Sequence, residues 1–108
     1  MALTGFGRFS EPALLVLISL LDGPKHGYAI SQDLGGLTGR RPGPGTLYGA
    51  ISRLEERGLI AAEPGSVPGA RRRPYRLTEA GLDEARRELA AMSELMAAAR
   101  RRLRAATA

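Results

Sequence analysis

The sequence predicts a mainly α chain with one small β-hairpin, in which three short helices precede the hairpin and a long helix follows it. Three observations carry this prediction. Apolar residues recur at helical spacing in three stretches before Leu59. Two strand-like runs flank the segment PGSVPGA. The chain after Thr78 is rich in Ala, Glu, Arg and Leu and keeps its apolar residues in steps of three and four.

Ser10 is placed to cap the first helix, with Glu11 and Pro12 in its opening turn, where a missing N–H leaves no intrahelical bond unmade. Asp22-Gly23-Pro24 ends it. A second helix is expected from Lys25 or His26, with Ile30, Leu34 and Leu37 as a one-sided stripe. Gly35 and Gly36 weaken its end by roughly 1 kcal/mol each relative to alanine. After the turn TGRRPGPG, a third helix sets Leu47, Ile51 and Leu54 on one face, and Gly58 suits the left-handed position just past it, so that Leu54 meets Leu59 across a Schellman cap. Leu59 to Glu63 and RRPYRL read as the two strands of a wide-looped hairpin, with Tyr75 and Tyr28 as core anchors. Thr78 is a plausible N-cap for the last helix, in which Leu82, Ala85, Leu89, Met92, Met96, Ala99 and Leu103 form a heptad seam suited to dimerisation. Helices, hairpin and terminal helix in this order make a winged helix-turn-helix with a long C-terminal dimerisation helix. The expected division is residues 1–78 for the winged domain and 79–108 for the helix.

A chain of 108 residues suits one domain with a modest core, which a partner subunit would supplement. Hydrophobic residues at 44% and charged residues at 25% indicate neither a disordered chain nor a membrane protein. The longest apolar run, Ala13 to Leu21, falls well short of the ~20 residues that span a bilayer and follows no basic leader, so the expected location is cytoplasmic. There is no cysteine, and the single His26 cannot build a zinc site alone. Carboxylates lie mostly on helix surfaces, so no nucleophile, acid–base pair or metal cluster points to an enzyme, and no cofactor is expected. The net charge of +5 favours polyanions, although an arginine excess with Lys25 as the only lysine also fits GC-rich coding.

With Leu47, Ile51 and Leu54 buried, the third helix offers Thr46, Gly49, Ser52, Arg53 and Arg57 on its other face. Taken alone, this stretch is equally an ordinary amphipathic helix and a recognition helix whose N-terminus meets DNA. The hairpin favours the second reading, because Arg71, Arg72 and Arg73 stand where a wing would set guanidinium groups against phosphates. Gly45 and Thr46 would set the approach, Tyr48 would steady it, and Ser52 and Arg53 would reach bases. Met92 and Met96 are either seam packing, the favoured reading, or the lining of an adaptable ligand pocket.

The segments LISLLDGPKHGYAI, PGTLYGAISRLEERGLI and RRRPYRLTEAG resemble the PadR-like family of transcriptional regulators over about Ala13 to Leu89. His-Gly-Tyr opening one helix and Pro-Gly-Thr-Leu-Tyr opening the next are the specific part. The resemblance implies a homodimeric repressor on a double-stranded DNA operator, in the short form whose single C-terminal helix packs on the partner subunit. It carries the DNA-contacting role to Pro44, Gly45, Thr46, Tyr48 and the wing arginines. Gly43 stands where a serine often precedes the Pro-Gly, Gly49 where a proline often follows the Tyr, and Gly35-Gly36 interrupts the second helix. Some members bind flat aromatic molecules between tryptophans; this chain has none, so the effector is open. The competing readings are a winged helix that binds protein and a MarR-like regulator whose dimer uses both terminal helices.

Overall fold

The computed structural model describes residues 11–64 and 73–108. Ser10, most of the loop between the two hairpin strands, and Arg71 and Arg72 lie outside them. Helix α1 (Glu11–Ser19) runs on as a 3-10 turn, Leu20–Asp22. Its apolar residues surround the axis, and Ala13, Leu14, Val16, Leu17 and Leu20 are all buried, so α1 is the central element against which the others pack.

The chain then forms a two-residue strand, β1 (Lys25–His26), and only afterwards helix α2 (Gly27–Thr38). This corrects the expected helix start at Lys25 or His26. Both residues pair with the hairpin, Lys25 opposite Tyr75 and His26 opposite Pro74, so their backbone is extended. The hairpin is therefore two of three antiparallel strands, in the order β1, β3 (Pro74–Leu77), β2 (Ile60–Ala62). Lys25 fixes this end of the sheet: its ammonium donates to the Ser19 carbonyl at 2.5 Å and pairs with Asp22, whose carboxyl that hydrogen bond holds below its ordinary value. Ser19, 2% exposed, donates its hydroxyl to Asp33 at 2.7 Å and ties α1 to α2.

Helix α2 continues unbroken through Gly35 and Gly36 and stops at Gly39, whose φ of 79° is left-handed and whose N–H donates to the Gly35 carbonyl at 2.8 Å. Ile30 and Leu34 are fully buried, but Leu37 is 54% exposed. The expected stripe ends one turn early because the last turn of α2 extends past the core that α1 and α3 build around Ile30 and Leu34. Helix α3 (Pro44–Glu56) buries Leu47, Ala50, Ile51 and Leu54. It closes on the anticipated Schellman motif: Gly58 has φ 75°, its N–H donates to Glu55 at 3.0 Å, and the Leu59 N–H donates to Leu54 at 3.0 Å.

Thr78 caps helix α4 (Glu79–Thr107) by accepting from the Gly81 N–H at 3.0 Å, while its hydroxyl donates to the Gly58 carbonyl at 2.6 Å. The 29 residues of α4 span about 43 Å and account for most of the 58 Å long axis. Its first turns belong to the core. Ala85 is fully buried, and a Cβ on Gly81 would lie 1.9 Å from the Leu59 carbonyl oxygen.

Two glycine substitutions should therefore act in opposite directions. Gly81→Ala forces backbone apart and is expected to lower the unfolding free energy by about 3 kcal/mol. Gly36→Ala, where an added Cβ meets nothing within 4 Å, should raise it by about 0.5–1 kcal/mol. Urea unfolding of the two variants beside the parent checks both signs.

Candidate nucleic-acid interface

The start of α3 is built to face outward. Gly43, Pro44, Gly45 and Thr46 are all exposed, and Pro44 occupies the first helical position. Leu47 is the first residue whose N–H finds a helical acceptor, the Gly43 carbonyl at 2.9 Å. The N–H groups of Gly45 and Thr46 precede it and have no acceptor within the helix, and no side chain caps the end. No acidic residue sits in the first turn. Bare N–H groups, the positive end of the helix dipole and small side chains together suit an anionic oxygen at close range. Farther along, Ser52, Arg53 and Arg57 are exposed and Gly49 is half-buried, on the face opposite the buried Leu47, Ala50, Ile51 and Leu54.

Tyr48 has one face exposed and one packed. Its ring is 48% exposed, yet its other side rests on Gly27 in the first turn of α2. A Cβ on Gly27 would stand 2.6 Å from both Cε1 and the hydroxyl oxygen of Tyr48. The glycine is a seat for the ring, and it sets how closely the starts of α2 and α3 approach. Sequence reasoning missed this residue, although a glycine inside the first turn of a helix, where it costs about 1 kcal/mol against alanine, is a signal that something needs the space. Tyr28 corrects another expectation: it is 57% exposed and no core anchor, because the adjoining buried positions of α2 are Gly27, Ile30 and Ser31. Tyr75 does pack on the core.

Of the wing arginines, Arg73 is within the described residues and is folded back. Its guanidinium lies 3.8 Å from Glu55 on α3 and 5.9 Å from the centre of the Tyr75 ring, and its Nε is buried without a hydrogen-bond partner. Arg76 lies 3.7 Å from Glu63 across the β2–β3 pair. The seam residues of α4 do not share one environment. Ala85 is in the chain's own core, Leu82, Leu89 and Met92 are half-buried, and Ala99 is exposed together with Met96 at 51% and Leu103 at 63%. Among the described residues no helix is long and apolar enough to cross a membrane, and no group of His, Cys, Asp and Glu is placed to hold a metal ion.

Comparison with known proteins finds the same arrangement elsewhere. The family described as "Transcriptional regulator PadR-like family" matches residues 14–87. The transcriptional regulator Rv3488 of Mycobacterium tuberculosis is 43% identical over 79 residues, covering 70% of this chain and 73% of that one. An uncharacterized 37.1 kDa protein in transposon TN4556 of Streptomyces fradiae is 44% identical over 88 residues, 82% of this chain but 25% of the relative, so the chain spans about a quarter of that protein. A PadR-like transcription factor from Bacteroides fragilis shares the fold with a TM-score of 0.74 at 24% identity, covering 94% of this chain and 98% of the other.

The seat under Tyr48 makes a thermodynamic prediction. Gly27→Ala should destabilise by about 1–3 kcal/mol in the parent, since the ring must move. In a Tyr48→Ala background the same change should cost much less, giving a coupling of about 1 kcal/mol or more in a double-mutant cycle. Additive effects in urea unfolding would remove the ring–glycine contact as the reason for the glycine.

Proposed function

The chain belongs to the PadR-like family of transcriptional regulators, and on that premise we propose that it is a repressor that binds a near-palindromic double-stranded DNA operator as a homodimer. One observation carries the reading furthest: the uncapped, unobstructed start of α3, with Ser52 and Arg53 exposed beyond it, in a helix-turn-helix setting. In this arrangement Gly45 and Thr46 meet a phosphate through their backbone, Pro44 fixes the entry of the helix and Tyr48 steadies it. Ser52 and Arg53 reach base edges from the second half of the helix. Arg71, Arg72 and Arg73 serve the flanking backbone from the wing, Arg73 after leaving Glu55.

The division of labour is residues 1–78 for DNA and 79–108 for dimerisation. Of the seam Leu82, Ala85, Leu89, Met92, Met96, Ala99 and Leu103, Ala85 is taken by the chain's own core and the other six are the proposed contact, its outer half supported by the exposure of Met96 and Leu103, an apolar pair that a second chain would cover. Twofold symmetry then sets two α3 helices about one DNA turn, ~34 Å, apart. A small-molecule effector that prefers another spacing would release the operator, and Met92 and Met96 are the adaptable side chains for it. Selecting bound fragments from the source genome tests the whole reading. Recovery of a recurrent inverted repeat supports it, and unselective or salt-independent recovery overturns it.

Two variants separate its parts. Met96→Asp combined with Leu103→Asp changes only exposed positions, so each protomer should keep its helical circular dichroism while light scattering reports monomers, the melting temperature falls with the lost partner, and operator affinity falls. Gly45→Glu should dimerise and melt normally but lose operator binding, since it adds bulk and negative charge at the phosphate. A Gly45→Glu protein with parental affinity would mean that another surface meets DNA.

A further inference from the structure

The turn between α2 and α3 carries an arginine whose side chain is held back along α2. Arg41 lies across Gly35, where a Cβ would come within 2.7 Å of its Cγ. Its Nε donates to the Ser31 hydroxyl at 3.1 Å, and the guanidinium carbon sits 5.3 Å from the centre of the Tyr28 ring. Gly35 therefore opens a channel for the Arg41 stem, which explains why a helix tolerates a glycine that local propensity disfavours.

Among the described residues no carboxylate lies within salt-bridge distance of Arg41, whereas Arg73, Arg76, Arg86 and Arg87 each have one. There is no acidic residue in the first turn of α2 either, so the charge over Tyr28 stands uncompensated. Beside it is a second donor. Gln32 donates its amide to the Tyr28 hydroxyl at 3.4 Å, which leaves the phenol proton to be given outward, and Tyr28 is 57% exposed. Ordering a long side chain costs conformational entropy. Here that ordering fixes a planar cation next to a hydroxyl donor, the geometry that suits phosphate oxygens.

We propose that Arg41, seated by Gly35 and Ser31, forms with Tyr28 a second phosphate-binding site, on α2, that grips the DNA strand flanking the groove entered by α3. The inference rests on the DNA-binding reading. Its geometric warrant is that Arg41 stands three residues before Pro44, so the site adjoins the exposed start of α3. The first helix of a helix-turn-helix crosses the phosphate backbone, which brings a phosphate to this end of α2.

The test is the salt dependence of binding to a mixed-sequence DNA duplex about three helical turns long, since phosphate contacts are indifferent to sequence. Arg41→Gln should weaken binding several-fold and reduce the slope of log affinity against log salt by about one. Arg41→Lys should keep the slope, and Tyr28→Phe should weaken binding with the slope unchanged. All three variants require parental melting temperatures; should Arg41→Gln melt early, Tyr28→Phe decides, and parental affinity in it overturns the site. A parental slope in Arg41→Gln, with the parent protein binding steeply, overturns the Arg41 site and leaves the DNA reading intact. A parent protein without salt-dependent binding overturns both.

Discussion

The contact on which the rest of the architecture depends is the approach of α4 to the backbone at Leu59. Gly81 is close enough to the Leu59 carbonyl that no side chain fits between them. The same carbonyl accepts the Thr78 N–H at 3.1 Å, and the Thr78 hydroxyl reaches the Gly58 carbonyl one residue earlier. Gly58 and Leu59 are in turn the closing residues of α3, through the Schellman bonds to Glu55 and Leu54. A few backbone atoms thus join the end of the proposed recognition helix, the first hairpin strand and the start of the long helix. Ala85, one turn on, completes the joint in the shared core.

Charge is distributed unevenly around this frame. On the first turns of α4, Arg86 and Arg87 are matched by Asp83 and Glu84 at 3.4 and 2.5 Å, the first an exposed pair of little energetic weight, the second with its carboxylate largely covered, and both offset arginine charge on this surface. Arg73 and Arg76 at the base of the hairpin face Glu55 and Glu63. Arg53 on α3 and Arg40 and Arg41 in the preceding turn have no carboxylate within ion-pair distance among the described residues. The excess of +5 is a coarse quantity, and what bears on polyanion binding is that Arg40 and Arg41 stand uncompensated just before α3 and Arg53 in its last turn.

Much of this was legible in the chain because it is written in local chemistry. The Gly58-Leu59 stop, the Thr78 cap and the burial of Leu47, Ile51 and Leu54 each need only a few neighbouring residues to specify them. What was illegible depends on residues far apart in sequence. Lys25 and His26 are a strand only because Tyr75 and Pro74 lie opposite them, and two residues carry no periodicity. Gly35 looked like a defect in a helix and is a channel for Arg41. Tyr28 looked like a core residue because large aromatics usually are, but its helix turns Gly27, Ile30 and Ser31 inward instead. The seam was read as one stripe, whereas Ala85 is taken by the chain's own core and Met96 and Leu103 are left outside.

The rigid joint at Leu59 also restricts how such a molecule could be regulated. If α4 of one protomer docks on its partner, each α3 is held to its own α4 through Gly58, Leu59 and Thr78 with no flexible linker between them. The separation of the two α3 helices is then set almost entirely by the crossing of the two α4 helices. A tilt of a few degrees there is carried over the roughly 43 Å of the helix, and so displaces the far ends by several ångströms. A recognition helix whose N–H groups must sit at hydrogen-bond distance from a phosphate tolerates far less than that. An effector therefore need not touch α3 or the wing, nor unfold anything. It has only to prefer one packing of the paired α4 helices over another, and the binding energy that separates those two packings is the whole of its leverage on DNA.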